Sequence, residues 1–73
     1  MTAFLAKVAT ILEVASVTPE TDFRQVPGWC SLKAFGLLVM LEEDHGQRLS
    51  VDDFLKLRTV ADLAAVAKIE EGA

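Results

Sequence analysis

The chain contains few of the residues from which disulfides, metal centres and catalytic triads are built. Its 73 residues include one cysteine, one histidine and no tyrosine. A single cysteine excludes an internal disulfide framework and suits a reducing compartment, so we expect a cytoplasmic protein. One cysteine and one histidine leave no zinc-ligand set, and no glycine-rich phosphate loop of the known kinds is present. The sequence therefore predicts no metal site.

Basic clusters and long apolar runs are also missing. Seven basic residues face eleven acidic ones, for a net charge of −4, and the absence of a basic cluster argues against nucleic-acid binding. No run reaches the roughly 18 apolar residues of a membrane span. Lys7 and Glu13 interrupt the apolar N-terminal segment, so we expect that it is no signal peptide. With 52% hydrophobic residues the chain is too apolar for disorder, so residues 1–73 are predicted to form one domain.

What the sequence does contain is apolar residues at helical spacing. Apolar residues that recur every three or four positions predict a first helix over Ala3–Ala15. A long connection follows over Ser16–Cys30, and its Phe23 is expected, with Val26, to pin it to the core. The second predicted helix runs over Ser31–His45 and ends at a glycine, which adopts the left-handed C-cap conformation at low cost.

Two Ser/Thr-x-x-acid patterns predict the remaining helices. Ser50 with Asp53 begins a short helix, and Thr59 with Asp62 begins the last one. The inner side of the last helix is predicted to carry Leu63, Val66, Ala67 and Ile69. Because strand signals are absent, we predict an all-α fold, a small four-helix bundle of three longer helices and a short one, with a long loop between helices 1 and 2.

The start of the second helix is the most informative position. A Pro-Gly turn at 27–28 precedes Ser31, which we predict to be the helix N-cap, with Cys30 and Phe35 as the apolar pair of a hydrophobic staple. Backbone N–H groups and the positive end of the helix dipole favour negative charge at such a place. It would therefore stabilise a covalently attached phosphate.

Catalysis by the chain itself is not expected. Ser31 or Cys30 would need a base within hydrogen-bond reach to act as a nucleophile. The one imidazole belongs to His45, fourteen residues further along the same helix and roughly 21 Å away at the helical rise. We therefore predict no catalytic residue, and the chemistry must come from an attached group or from another protein.

The order of short motifs is specific along nearly the whole chain. A Thr-Pro-Glu-Thr-Asp-Phe loop precedes Gly-Trp-x-Ser-Leu; an apolar helix ending Leu-Glu-Glu-Asp-His-Gly follows, then Leu-Ser-Val-Asp-Asp-Phe and Thr-Val-Ala-Asp-Leu. This set resembles the acyl carrier protein and peptidyl carrier protein superfamily, and most closely its stand-alone bacterial members. The family signature is Asp-Ser-Leu, whereas this chain has Cys30 before Ser31.

The resemblance implies a site, a cofactor and partners. Ser31 would carry 4′-phosphopantetheine in a phosphodiester, installed from coenzyme A by a magnesium-dependent phosphopantetheinyl transferase. The terminal thiol would hold acyl or aminoacyl thioesters, so this phosphoprotein would visit loading and client enzymes, and we expect a monomer. Residues expected to contact these partners are Trp29, Leu32, Lys33, Phe35, Glu42, Glu43 and Asp44. Lys33 is further expected to lie near the phosphodiester and partly neutralise it.

The departures from the family pattern narrow the pathway and leave an alternative open. Lys33 and Gly36 stand where fatty-acid carriers are often acidic, so a specialised pathway fits better than general fatty acid synthesis; polyketide or other specialised metabolite biosynthesis is expected. Cys30 in place of the signature aspartate favours the alternative, a degenerate, unmodified carrier-like protein-interaction module. A serine- or cysteine-based catalyst is the third interpretation, opposed by the distance to His45.

Overall fold

The computed structural model describes residues 2–68, which form four α-helices around one apolar core. Helix α1 spans Thr2–Leu12, α2 spans Ser31–His45, α3 spans Val51–Phe54 and α4 spans Val60–Ala67. Within the described residues there is no strand, only an isolated bridge between Asp22 and Thr59 in the loops. The predicted all-α bundle of three longer helices and a short one is confirmed.

The first helix is shorter than predicted, because the chain leaves it at Glu13 instead of Ala15. Glu13 adopts a left-handed conformation (φ 59°). The N–H of Val14 then donates to the carbonyl of Ala9 (3.0 Å), and that of Glu13 to the carbonyl of Thr10 (3.2 Å). These two bonds close a Schellman motif, which usually has glycine at the left-handed position. The sequence carries no glycine there, so the end was not recognised.

The end of α2 and the starts of α3 and α4 follow the predicted local signals. Gly46 closes α2 in the left-handed conformation (φ 67°). The Ser50 hydroxyl caps α3 by accepting from the N–H of Asp53. Thr59 and Asp62 form a complete capping box at the start of α4. Ile69, predicted on the inner side of α4, lies outside the described residues.

The long loop between α1 and α2 is fixed to the core and to the start of α4. Phe23 begins a short 3₁₀ helix (Phe23–Gln25) and is fully buried, with its ring 5.6 Å from that of Trp29 and 5.5 Å from that of Phe54. Its N–H donates to the carbonyl of Arg58 (3.3 Å), and the N–H of Val60 donates back to the carbonyl of Thr21 (2.9 Å). Anchored in this way, the loop holds the segment before α2 in place.

The core is contributed by all four helices and this loop. Its fully buried large side chains are Val8, Leu12, Phe23, Leu37, Leu41, Val60 and Leu63. No helix within residues 2–68 has both the length and the apolar character needed to cross a membrane.

Candidate functional site

Ser31 is presented by a tight turn that ends the long loop. The N–H of Trp29 donates to the carbonyl of Val26 (3.2 Å), and between them stand Pro27 and Gly28, the latter at φ 76°. Proline at the second position and glycine with positive φ at the third are typical of a type II turn. The turn delivers Ser31 to the first position of α2, where its side chain is exposed.

The N-cap of α2 is Cys30 and not Ser31, which corrects the predicted cap by one residue. Cys30 has an extended backbone, and its carbonyl accepts from the N–H groups of Lys33 and Ala34, both at 3.1 Å. Its own side chain makes no capping hydrogen bond. Among the hydrogen bonds of residues 2–68, none satisfies the N–H groups of Ser31 and Leu32. Two backbone donors at the positive end of α2 are therefore available to an anion.

Because the N-cap is Cys30, the two residues of the hydrophobic staple also differ from the predicted pair. For an N-cap at Cys30 the flanking staple positions are Trp29 and Ala34, and both of these side chains are half-buried and pack against the core. Phe35, which was predicted to pair with Cys30, is 63% exposed. The aromatic ring of Phe35 is therefore presented to solvent beside Ser31 instead of closing the helix start.

A groove of about 350 Å³ opens beside Ser31 between α2 and α3. Apolar side chains dominate its walls, and one cationic side chain, that of Arg24, reaches it. The lining residues are Arg24, Trp29, Ser31, Ala34, Phe35, Leu38, Val51, Phe54 and Leu55. Among residues 2–68, the large apolar side chains that remain exposed lie at this end of the molecule: Leu32, Phe35, Val51 and Leu55.

Lys33 lies on a different groove. Its ammonium is 3.8 Å from the carboxylate of Glu13, and only 14% of its side chain is exposed. A Cβ placed on Gly28 would lie 2.9 Å from the same nitrogen, so the ammonium rests against the turn. The second groove, of about 500 Å³, is lined by Lys33 and Glu13 together with Cys30 and Phe35. The cation that shares a groove with Ser31 is Arg24, which the sequence did not single out.

The three acids predicted as partner contacts lie at the opposite end of α2, and two of them are engaged within the chain. Glu42 accepts a hydrogen bond from Arg48 at 3.0 Å, which raises the pKa of that guanidinium. Asp44 pairs with Lys7 at 3.6 Å. Glu43 is exposed. The structure thus separates these acids from the apolar side chains around Ser31, and their contact with partners remains a prediction.

The imidazole that could activate a nucleophile lies at the opposite end of α2 from Ser31. His45 ends α2, and its ring contacts the edge of Phe4 at a centroid distance of 5.5 Å. The residues that line the Ser31 groove include neither an imidazole nor a carboxylate. In the part of the chain that the structure describes, no three His, Cys, Asp or Glu side chains lie close enough to hold a metal ion. The site has an exposed hydroxyl and anion-binding donors.

A small helical bundle with an exposed serine at a helix start fits a carrier type of domain. A family model described as "Phosphopantetheine attachment site" matches residues 2–67, and the chain belongs to this family. The predicted membership of the acyl and peptidyl carrier superfamily is thereby confirmed, as is its cofactor, a covalently attached 4′-phosphopantetheine. Such domains carry thioester-linked groups and interact with transferases and other enzymes. No curated protein and no solved structure matches the chain.

Proposed function

We propose that Ser31 is the attachment residue and that the protein carries acyl or aminoacyl thioesters between the enzymes of a specialised biosynthetic pathway. The observation that carries this proposal is the exposed Ser31 hydroxyl at the first position of α2, next to two unsatisfied backbone N–H groups. When attached, 4′-phosphopantetheine supplies a terminal thiol that forms the thioester. The donor set at the start of α2 fits the phosphate that joins this group to a serine.

The chain's own residues prepare this position in two ways. The turn before Ser31 leaves this residue exposed, so that a transferase can reach its hydroxyl. The N–H groups of Ser31 and Leu32, with the positive end of the α2 dipole, favour the negative charge of a phosphodiester. Cys30 adds no carboxylate beside it. Residues 31–34 also contain no acidic side chain, so the first turn of the helix does not repel the phosphate.

Partner enzymes are proposed to contact the apolar side chains around the site. Leu32 is 77% exposed and Phe35 is 63% exposed, so two large apolar side chains face solvent in this small domain. Trp29, Lys33 and the acids Glu42, Glu43 and Asp44 complete the proposed contact set. A fatty-acid enzyme that docks through basic residues would find no acid in the first turn of α2, so a dedicated pathway is favoured.

The test is enzymatic modification followed by intact-mass measurement. The purified chain is incubated with coenzyme A, magnesium and a broad-specificity phosphopantetheinyl transferase. One pantetheinyl increment is expected in the wild type and none in Ser31→Ala. Ser16→Ala is a matched control, because Ser16 is also exposed and lies in a loop; it should be modified like the wild type. An increment that persists in Ser31→Ala would refute the proposed site.

The alternative function is an unmodified interaction module, and Cys30 is the observation that favours it. No increment in the wild type, together with a gain of one increment in Cys30→Asp, would support this alternative. Hydrolysis of an activated ester by the unmodified chain, lost in Ser31→Ala or Cys30→Ala, would instead support a catalyst. A cytoplasmic location and a monomeric state remain predictions, to be checked by fractionation and by sedimentation.

A further inference from the structure

The guanidinium of Arg24 lines the same groove as Ser31 and has spare donors. Arg24 stands in the 3₁₀ helix whose N-cap, Asp22, accepts from the backbone N–H of Arg24 at 3.0 Å. Its Nη1 donates to the carbonyl of Leu55 on the opposite wall at 3.5 Å, a long hydrogen bond. A guanidinium offers five N–H donors, so most of them, including the edge formed by Nε and Nη2, are not used by this bond.

Arg24 also differs from the other cation beside Ser31. Lys33 is paired with Glu13 and lies on the second groove. No carboxylate of residues 2–68 forms an ion pair with Arg24. The groove that contains Ser31 therefore holds a positive charge without a negative partner, and its walls are largely apolar.

We propose that Arg24 holds the phosphodiester on Ser31 and so directs the attached group along the groove between α2 and α3. This inference rests on the proposed function, since it requires attachment at Ser31. A planar guanidinium matches two phosphate oxygens in a bidentate pair, which a lysine ammonium does not. Arg24 acts here as a positioning residue: it fixes the phosphate relative to the groove and takes no part in chemistry at the thiol.

The test is a cycle of four unfolding measurements, made on the unmodified and modified forms of the wild type and of Arg24→Gln. Intact mass first confirms that each modified sample is complete. Urea unfolding is then followed by Trp29 fluorescence. We expect modification to increase the folding equilibrium constant about two- to fivefold more in the wild type than in Arg24→Gln, and this difference to shrink in 1 M salt.

Two control variants sharpen the comparison. Arg58→Gln removes an exposed arginine that does not line the groove, and Lys33→Gln removes the cation of the second groove. Both should respond to modification as the wild type does. If wild type and Arg24→Gln were both fully modified and gained the same stability on modification, the role of Arg24 would be overturned. If the gain were lost only in Lys33→Gln, the role would belong to Lys33. A wild type that takes no increment would instead overturn the proposed function.

A second measurement needs no variant, in case Arg24→Gln does not fold. The Arg24 Nε–Hε NMR signal of the wild type is compared before and after modification, with the Arg58 signal as reference. We expect the Arg24 signal to move and to sharpen on modification while the reference stays in place. An unchanged Arg24 signal in a fully modified sample would overturn the proposal.

Discussion

Replacement of Cys30 by aspartate would give α2 the side-chain cap that it lacks. Cys30 already has the extended backbone of an N-cap, and the N–H of Leu32 has no partner among residues 2–68. A capping oxygen at this position accepts from the second or third N–H of the helix, which stabilises a protein by about 1 kcal/mol. The carboxylate also lies at the positive end of the helix dipole, for about 0.3–1 kcal/mol more. We expect the free energy of unfolding to rise by about 1.5 kcal/mol.

The assay is urea unfolding of the unmodified chain, with Cys30→Ser and Cys30→Ala as matched controls. A slope of about 1 kcal/mol per molar urea, typical of a small domain, converts the expected gain into a midpoint higher by about 1.5 M. Serine supplies the cap without the charge and should give about two thirds of this gain. Alanine supplies neither and should remain near the wild type.

Modification at Ser31 should reduce the benefit of the aspartate. The carboxylate and the phosphodiester would compete for the same N–H groups and repel each other. The difference in unfolding free energy between Cys30→Asp and wild type is therefore expected to be smaller in the modified protein. If aspartate and serine left the unmodified chain at the wild-type midpoint, the N–H groups at the start of α2 would already be satisfied. The donor set assigned to the phosphate would then be wrong.

Three further predictions concern the frame around the site. Asp62 accepts hydrogen bonds from two backbone N–H groups at the start of α4, which lowers the pKa of its carboxyl group. The carboxylate contributes its full stability above the unfolded pKa of about 3.9, and this contribution is lost as pH falls through the lower folded pKa. In Asp62→Asn, the urea midpoint should therefore depend less on pH below about pH 4 than in the wild type. Gly36→Ala should gain less than the ~1 kcal/mol of helix propensity, because its Cβ would meet Cγ2 of Ile11 at 3.1 Å, and should gain all of it in an Ile11→Ala background. Gly28→Ala should lower the melting temperature by about 4–8 °C, because an alanine at positive φ costs about 1 kcal/mol or more.

Each of these has a result that contradicts it. Equal acid profiles for wild type and Asp62→Asn would mean that the two N–H groups do not stabilise the carboxylate. The full helix-propensity gain for Gly36→Ala in the wild type would show that Ile11 moves aside freely. A Gly28→Ala protein that melts with the wild type would show that the turn does not require positive φ.

The parts of the fold that the sequence predicted are those fixed by local chemistry. The two Ser/Thr-x-x-acid patterns became caps because the hydroxyl and the N–H it binds are three residues apart. The end of α1 was missed because Glu13 takes the left-handed conformation without glycine. At α2 the bounds were right but the cap was wrong by one residue. The sequence pattern does not show whether a serine near a helix start is the N-cap or the first residue of the helix.

The sequence singled out Ser31 as the candidate attachment residue but did not single out Arg24. Arg24 precedes Ser31 by seven residues in a long loop, and no spacing rule places its side chain in the groove. Long-range contacts place it there: Phe23 is buried against Trp29 and Phe54, and its N–H bonds to the carbonyl of Arg58. Lys33 is nearer to Ser31 in sequence, yet its ammonium turns to Glu13, on the loop after α1. Sequence proximity singled out Lys33, whereas the cation that lines the groove with Ser31 is Arg24.

Two grooves meet beside Ser31, and charge provides a reason for an attached group to prefer one of them. Phe35 lines both and stands between them. The second groove is the larger, about 500 against 350 Å³, so volume alone would favour it. Its cation, however, is already neutralised by Glu13, whereas Arg24 keeps donors free in the smaller groove. In a group attached at Ser31, as proposed, the phosphate would be the part nearest to that residue, so the pairing of the phosphate would set the direction of the rest of the group. Glu13→Gln would release the ammonium of Lys33, and it should reduce the preference for the smaller groove more than any change in apolar lining.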